Sequence, residues 1–183
     1  MASVDLARLS SIAADQYGIV SLSQLQRLGL SRDRVARLVQ TGLLTRMIDG
    51  AYLHSAHHDT VLGRCLAISL VRPGLLVAGP TAAKLWDFRR VPGDEQIHAI
   101  VKPHGQPGRI EWLTPYRTAL IRPDDVVTRI DGIRLTTPAR TAVDMMRHAT
   151  PPAVVSMIEQ GLDRGWFSES QVREAAEHTA TPG

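Results

Sequence analysis

Five arginines, Arg27, Arg32, Arg34, Arg37 and Arg46, fall in a stretch whose single acidic residue is Asp33, an excess of four positive charges. The planar guanidinium fork donates two parallel hydrogen bonds, which suits phosphate and the major-groove edge of guanine, while a Gln amide pairs with adenine. At about 100° per residue, a helix over residues 32–41 lays Val35, Leu38 and Val39 along one apolar seam. The opposite side then carries Asp33, Arg37 and Gln40, with Arg34 and Thr41 on one shoulder and Arg32 and Ala36 on the other. The residues expected to touch double-stranded DNA are Ser31, Arg32, Arg34, Arg37, Gln40 and Arg46. Asp33 is suited to accept from a cytosine amine or to favour the positive end of its own helix. The competing readings are a solvated helix face and a surface that docks another protein.

Other residues with chemical potential make weaker constellations. His57-His58-Asp59 has metal-ligand residue types, but adjacent side chains in an extended link point apart, so no metal is expected. Asp124-Asp125 follows Pro123 and reads as a turn rather than a Mg²⁺ site. Arg140 and Asp144 stand four apart on one helix and are expected to pair. Cys65, the single cysteine, sits among Leu62, Leu66 and Ile68 as a buried thiol. Trp86 and Trp166 read as packing residues. No nucleophile triad order, phosphate-binding loop or dinucleotide fingerprint occurs, so no catalytic residue, cofactor or enzyme activity is expected.

Apolar spacing and punctuation set the elements that would hold the basic residues. Leu6, Leu9, Ile12 and Ala13 mark a helix over residues 4–16. Ser21 or Ser23 can cap a short helix reaching Leu28, and Ser31 caps the third, which Gly42 closes. Two short apolar segments around Asp49-Gly50 then read as a β-hairpin. This order is that of a winged helix-turn-helix. The polar stretch at residues 55–59 suggests a boundary, giving a DNA-binding domain over residues 1–56 and a second, mixed domain over 57–183.

In the second part, residues 61–71 read as a helix stopped by Pro73-Gly74, residues 75–78 as a strand, and residues 80–86 as a helix with Pro in its first turn. Residues 97–101 and 109–113 read as strands around a turn at residues 104–108. A further hairpin is expected around Asp131-Gly132, then helices over residues 138–148, 151–162 and 168–178, with a loose tail after Thr179. The fold class expected is α+β.

The chain has 183 residues, 44% hydrophobic and 4% aromatic, with a net charge of +3. Its 21 basic residues include only two lysines, Lys84 and Lys102. One cysteine rules out an intrachain disulfide framework, and neither a signal peptide nor an apolar run of about 20 residues is present. A cytoplasmic protein with no membrane partner is the expectation.

A set of short motifs also resembles one family. The run Asp15-Gln16-Tyr17-Gly18-Ile19-Val20-Ser21, then Gln24-Leu25 and Gly29-Leu30-Ser31-Arg32, is similar to the N-terminal domain of AbiEi-type antitoxins. Gly42-Leu43-Leu44, Arg46 and Asp49-Gly50-Ala51-Tyr52 continue the resemblance. So do Thr81-Ala82-Ala83-Lys84-Leu85-Trp86, Arg122-Pro123-Asp124-Asp125-Val126, and the run from Asp131-Gly132-Ile133 through Thr137-Pro138-Ala139-Arg140-Thr141 to Asp144. The resemblance implies the antitoxin of a two-gene toxin–antitoxin module. Its winged helix would repress the module's own promoter, as a possible homodimer on DNA, and its C-terminal domain would counter a nucleotidyltransferase-like toxin. An interaction protein that masks the toxin, or an enzyme that modifies it, are the alternatives. Many relatives add a restriction-endonuclease-like domain at the C-terminus; this chain ends before one, so nuclease activity is not expected.

Overall fold

The structure, a computed structural model, describes residues 6–101, 106–118 and 121–180. The chain divides into two compact units, one of residues 1–73 with Asp131–Ile133, the other of residues 74–130 with 134–183.

In the first unit, α1 (Leu6–Asp15) is followed by β1 (Ile19–Ser21), α2 (Leu22–Arg27), α3 (Arg32–Gln40), β2 (Leu44–Ile48), β3 (Ala51–His54) and α4 (Val61–Val71). Val4 and Asp5 of the expected first helix lie outside the described residues. The three strands form an antiparallel sheet in the order β1-β3-β2. The segment before α2 is thus a sheet strand, pairing Val20 with Tyr52. Leu9, Ala13, Val20, Leu25, Leu30, Val35, Leu44 and Tyr52 make one apolar core. Burying a Leu or Val of this kind contributes about 1.5–3 kcal/mol, so the three helices and the hairpin are held by the same cluster.

The unit runs on to Pro73, whereas the sequence places the boundary at residue 56. The physical reason is α4: its Cys65, Leu66, Ala67 and Ile68 are buried, and it packs on β1 and β3. Asp59, in the expected His-His-Asp cluster, is held by Arg64, which donates to it at 2.9 and 2.8 Å.

The second unit contains β4 (Leu75–Val77), α5 (Gly79–Leu85), β5 (Ile97–Val101), β6 (Leu113–Arg117), β7 (Val126–Thr128), β8 (Arg134–Thr136), α6 (Pro138–Asp144), α7 (Pro151–Asp163) and α8 (Glu169–Ala180). The mixed five-stranded sheet has the order β6-β5-β4-β8-β7. Here β4 is antiparallel to β5 and parallel to β8, β5 is parallel to β6, and β7 and β8 form the expected hairpin.

The expected strand at residues 109–113 is corrected: β6 begins at Leu113 and pairs parallel to β5, so the two are not a hairpin. Of the turn proposed between them, residues 104 and 105 lie outside the described residues. Thr137 caps α6, with Pro138 in its first turn, where the lost N–H has no partner to forgo. Phe88, Met145, Met157 and Phe167 centre an apolar cluster that also takes in Trp86 and Trp166. The Trp166 ring meets Phe88 edge-on at 5.1 Å.

Candidate nucleic-acid interface

Local sequence builds the helix pair that carries the basic residues. The Gln24 backbone N–H donates to Ser21 Oγ at 3.3 Å, and the Ser21 N–H donates to Gln24 Oε1 at 2.8 Å. This reciprocal cap satisfies two N–H groups that a helix start otherwise leaves orphaned. The link to α3 turns at Gly29, whose φ is +79°, a conformation that costs glycine little. Leu30, 3% exposed, follows it into the core. Ser31 then caps α3, accepting from the Arg34 N–H at 3.3 Å.

Val35 is buried, and Leu38 and Val39 are half-buried against the same core. That seam turns the remaining face outward: Ser31, Arg32, Asp33, Arg37 and Gln40 are exposed, and Arg34 is half-buried on the shoulder. Among the described residues no ion pair or hydrogen bond engages the side chains of Arg32, Arg34, Arg37 or Gln40. Asp33, one turn before Arg37, leaves it unpaired. The guanidinium groups of α3 are therefore uncommitted within the described residues. An α-helix with its side chains is about 10–12 Å across, and the major groove, about 12 Å wide, admits it.

The hairpin of β2 and β3 supplies a second basic point. Gly50 takes φ +87° at its tip, and the Leu22 N–H donates to the Gly50 carbonyl at 2.7 Å, tying the tip to the start of α2. Arg46 Nη2 lies 2.8 Å from Asp49 Oδ1, with the two side chains 61% and 69% exposed. Arg72, at the end of α4, brings Nη2 to 3.9 Å from the other oxygen of Asp49. One carboxylate thus faces two guanidinium groups, and the tip keeps a positive surplus.

Arg72 was missed in the sequence, where it stands 23 positions beyond Asp49; only the packing of α4 brings it there. A cleft of about 680 Å³ separates α3 from the hairpin, with Arg32, Ala36, Gln40, Arg46, Asp49 and Gly50 on its walls. Among the six residues proposed from sequence, Arg32, Gln40 and Arg46 share this cleft. Arg37 stands on the outer face, Arg34 on the far shoulder, and Ser31 at the helix start, its hydroxyl engaged as the cap.

The acidic residues weighed as metal or catalytic groups are placed differently. Asp124 and Asp125 lie in a 3-10 turn over Pro123–Asp125. Arg140, fully buried, donates to Asp144 Oδ1 at 3.0 Å, to Asp125 Oδ2 at 3.2 Å and to Thr118 Oγ1 at 3.3 Å. Burial raises the Asp144 carboxyl to about 6. Arg140 pulls in the opposite direction, but it is shared with Asp125, and Asp144 Oδ2 is buried without a partner. Burial therefore outweighs the pairing.

Comparison with known proteins matches the same segment. Residues 7–53 match the profile of a family described as "Transcriptional regulator, AbiEi antitoxin". The resemblance read from the sequence therefore holds over α1 to β3, and residues 54–183 lie outside that match. No curated protein matches the chain at a significant level. Among solved structures, the RV2827C protein from Mycobacterium tuberculosis is similar, with a TM-score of 0.58 over 96% of this chain and 71% of that one. At 18% identity this likeness shows a common fold. Among the described residues no helix is long and apolar enough to cross a membrane.

Proposed function

We propose that this protein is the antitoxin and transcriptional autorepressor of a toxin–antitoxin module. In this reading α3 enters the major groove of the module's promoter. Arg37 and Gln40 are directed at base edges, with Arg32 and Arg34 beside them, while Arg46 and the hairpin tip engage phosphate. Base contacts by Arg and Gln discriminate by about 1–3 kcal/mol each, whereas phosphate contacts add affinity without choosing sequence. One short helix reads few base pairs, so two copies on repeated half-sites are expected. The second unit neutralises a nucleotidyltransferase-like toxin by binding it, in the cytoplasm and without catalysis.

The observation that carries the DNA reading is the unpaired, outward-facing basic surface of α3, within the segment that matches a transcriptional-regulator family. The test is a titration of the protein onto its upstream DNA and onto scrambled DNA at several salt concentrations. Arg37→Ala should weaken operator binding by about 10- to 100-fold, the equivalent of 1–3 kcal/mol. Equal affinity for both DNAs, unchanged by the substitution, would refute sequence-specific binding. Co-purification with the product of the neighbouring gene tests the toxin arm independently.

A further inference from the structure

A cleft of about 440 Å³ in the second unit has Arg90, Pro92, Arg147, His148, Thr150 and Ala153 on its walls. No carboxylate lines it, unlike other clefts of the same unit. One sets Arg122 and Arg140 against Asp124, Asp125 and Glu174; another sets Arg89 and Arg164 against Asp87 and Asp163. Arg90 and Arg147 are exposed, and among the described residues neither joins an ion pair. Both arginines line the cleft, and the carboxylate that acts on Arg147, Asp144, is buried and does not line it.

Two further observations point the same way. Arg90 has a φ of +60°, a left-handed backbone that costs a non-glycine residue energy and that is enriched where ligands are held. Thr150 opens α7, yet its hydroxyl makes no capping bond to that helix, which leaves the hydroxyl available as a donor.

His148 Nε2 and Tyr116 Oη are both buried without partners. A Cβ at Gly79 would stand 3.1 Å from the first and 3.2 Å from the second, so glycine there leaves polar room. The groups facing His148 are His98, with ring centroids 5.3 Å apart, Tyr116 at 5.5 Å, Arg147 and Asp94. Asp94 is already committed, its Oδ2 lying 2.8 Å from His98 Nε2.

We propose that this cleft binds a phosphate-bearing small molecule, its oxyanion held between Arg90 and Arg147 with the Thr150 hydroxyl and the His148 ring as further donors. Two guanidinium groups with no lining carboxylate favour an anion, and donors on different elements suit the several acceptor oxygens of phosphate. The volume exceeds what a bare oxyanion fills, which leaves room for an organic portion beside the phosphate. Burial first, then the neighbouring His98 and Arg147, hold the His148 ring below its ordinary value. An anion beside it acts in the opposite sense, which turns His148 into a reporter of occupancy. The inference stands whether or not α3 reads DNA.

The test uses the full chain at constant ionic strength, set with chloride. Inorganic phosphate, adenosine monophosphate and adenosine are the probes, followed by calorimetry and by NMR titration of the His148 ring. Phosphate and the monophosphate should raise the His148 midpoint by about one unit, and the monophosphate should bind at least about tenfold more tightly than adenosine. The surface variant Arg90→Ala/Arg147→Ala should abolish both effects while keeping the wild-type spectrum elsewhere, and Arg90→Lys/Arg147→Lys should retain part of the shift. The proposal is overturned by an unmoved His148 at millimolar phosphate and monophosphate, by a shift that persists in the alanine variant, or by binding of inorganic phosphate alone.

Discussion

Two acid–arginine pairs at the same helical spacing end in opposite states. In α3, Asp33 and Arg37 stand four apart, both exposed, and do not meet. In α6, Arg140 and Asp144 stand four apart, both buried, and close to 3.0 Å. An exposed pair of this kind is worth about 0.3–0.5 kcal/mol, comparable to the side-chain freedom it gives up. A buried guanidinium left alone costs several kcal/mol, so in the interior the pair must form. Spacing permits a salt bridge, and solvent decides whether it forms. Arg37 thus stays uncommitted, as the proposed DNA contact requires, while Arg140 organises the interior of its own unit.

The largest test of this contrast is Arg140→Ala, which strands two carboxylates in the interior. It should lower unfolding free energy by about 3–5 kcal/mol, read by denaturant titration, whereas Arg37→Ala should stay within about 0.5 kcal/mol of wild type. Next in size is the pH dependence of the buried acid. The Asp144 carboxyl is raised in the folded state to about 6 from an ordinary value of 3.8. The folded protein therefore binds the proton more tightly than the unfolded chain. The stability from this group is complete below about pH 4 and is lost as pH rises through about 6. The side-chain carboxyl carbon of Asp144 should titrate near 6 by NMR, and a midpoint clearly below 4 would show that Arg140 outweighs burial.

A third test acts on the free side of the comparison. Gln40→Ala should reduce operator discrimination by about 1–3 kcal/mol and leave scrambled-DNA affinity unchanged, measured by competition binding. The smallest effect belongs to Ser31→Ala, which removes the cap of α3 at a cost of about 1 kcal/mol. That loss should appear in thermal unfolding, and DNA affinity should change little once the protein is folded.

Local features were legible in the sequence because their causes are local. Ser31 and Gly42 bracket α3, the seam of Val35, Leu38 and Val39 turns its basic face outward, and Asp49-Gly50 marks the hairpin. The α+β class of the second unit followed from its alternating strands and Pro-started helices. The strand β6 was misplaced because Pro115 lies in its middle. A proline interrupts a strand reading, yet it is tolerated on a sheet edge, and β6 is an edge strand. Its parallel pairing, the second guanidinium at Asp49 and the three partners of Arg140 arise from residues distant in sequence, for which periodicity carries no signal. The boundary expected at residue 56 marked a change of composition, while the apolar surface of α4 carries the first unit further.

The pairing of β4 with β8 joins Val77 to Leu135, and it sets an order of events during synthesis. Closing so long a loop is slow compared with forming a local hairpin, and it must wait until β8 has left the ribosome. Arg32 through Tyr52 meet their partners within a few dozen residues of chain. Domains fold as units, N-terminal first, as the chain emerges. The segment from α1 to β3, whose core is drawn from residues 9–52, thus becomes structured before β8 is available, although its unit is completed only when Asp131–Ile133 emerge.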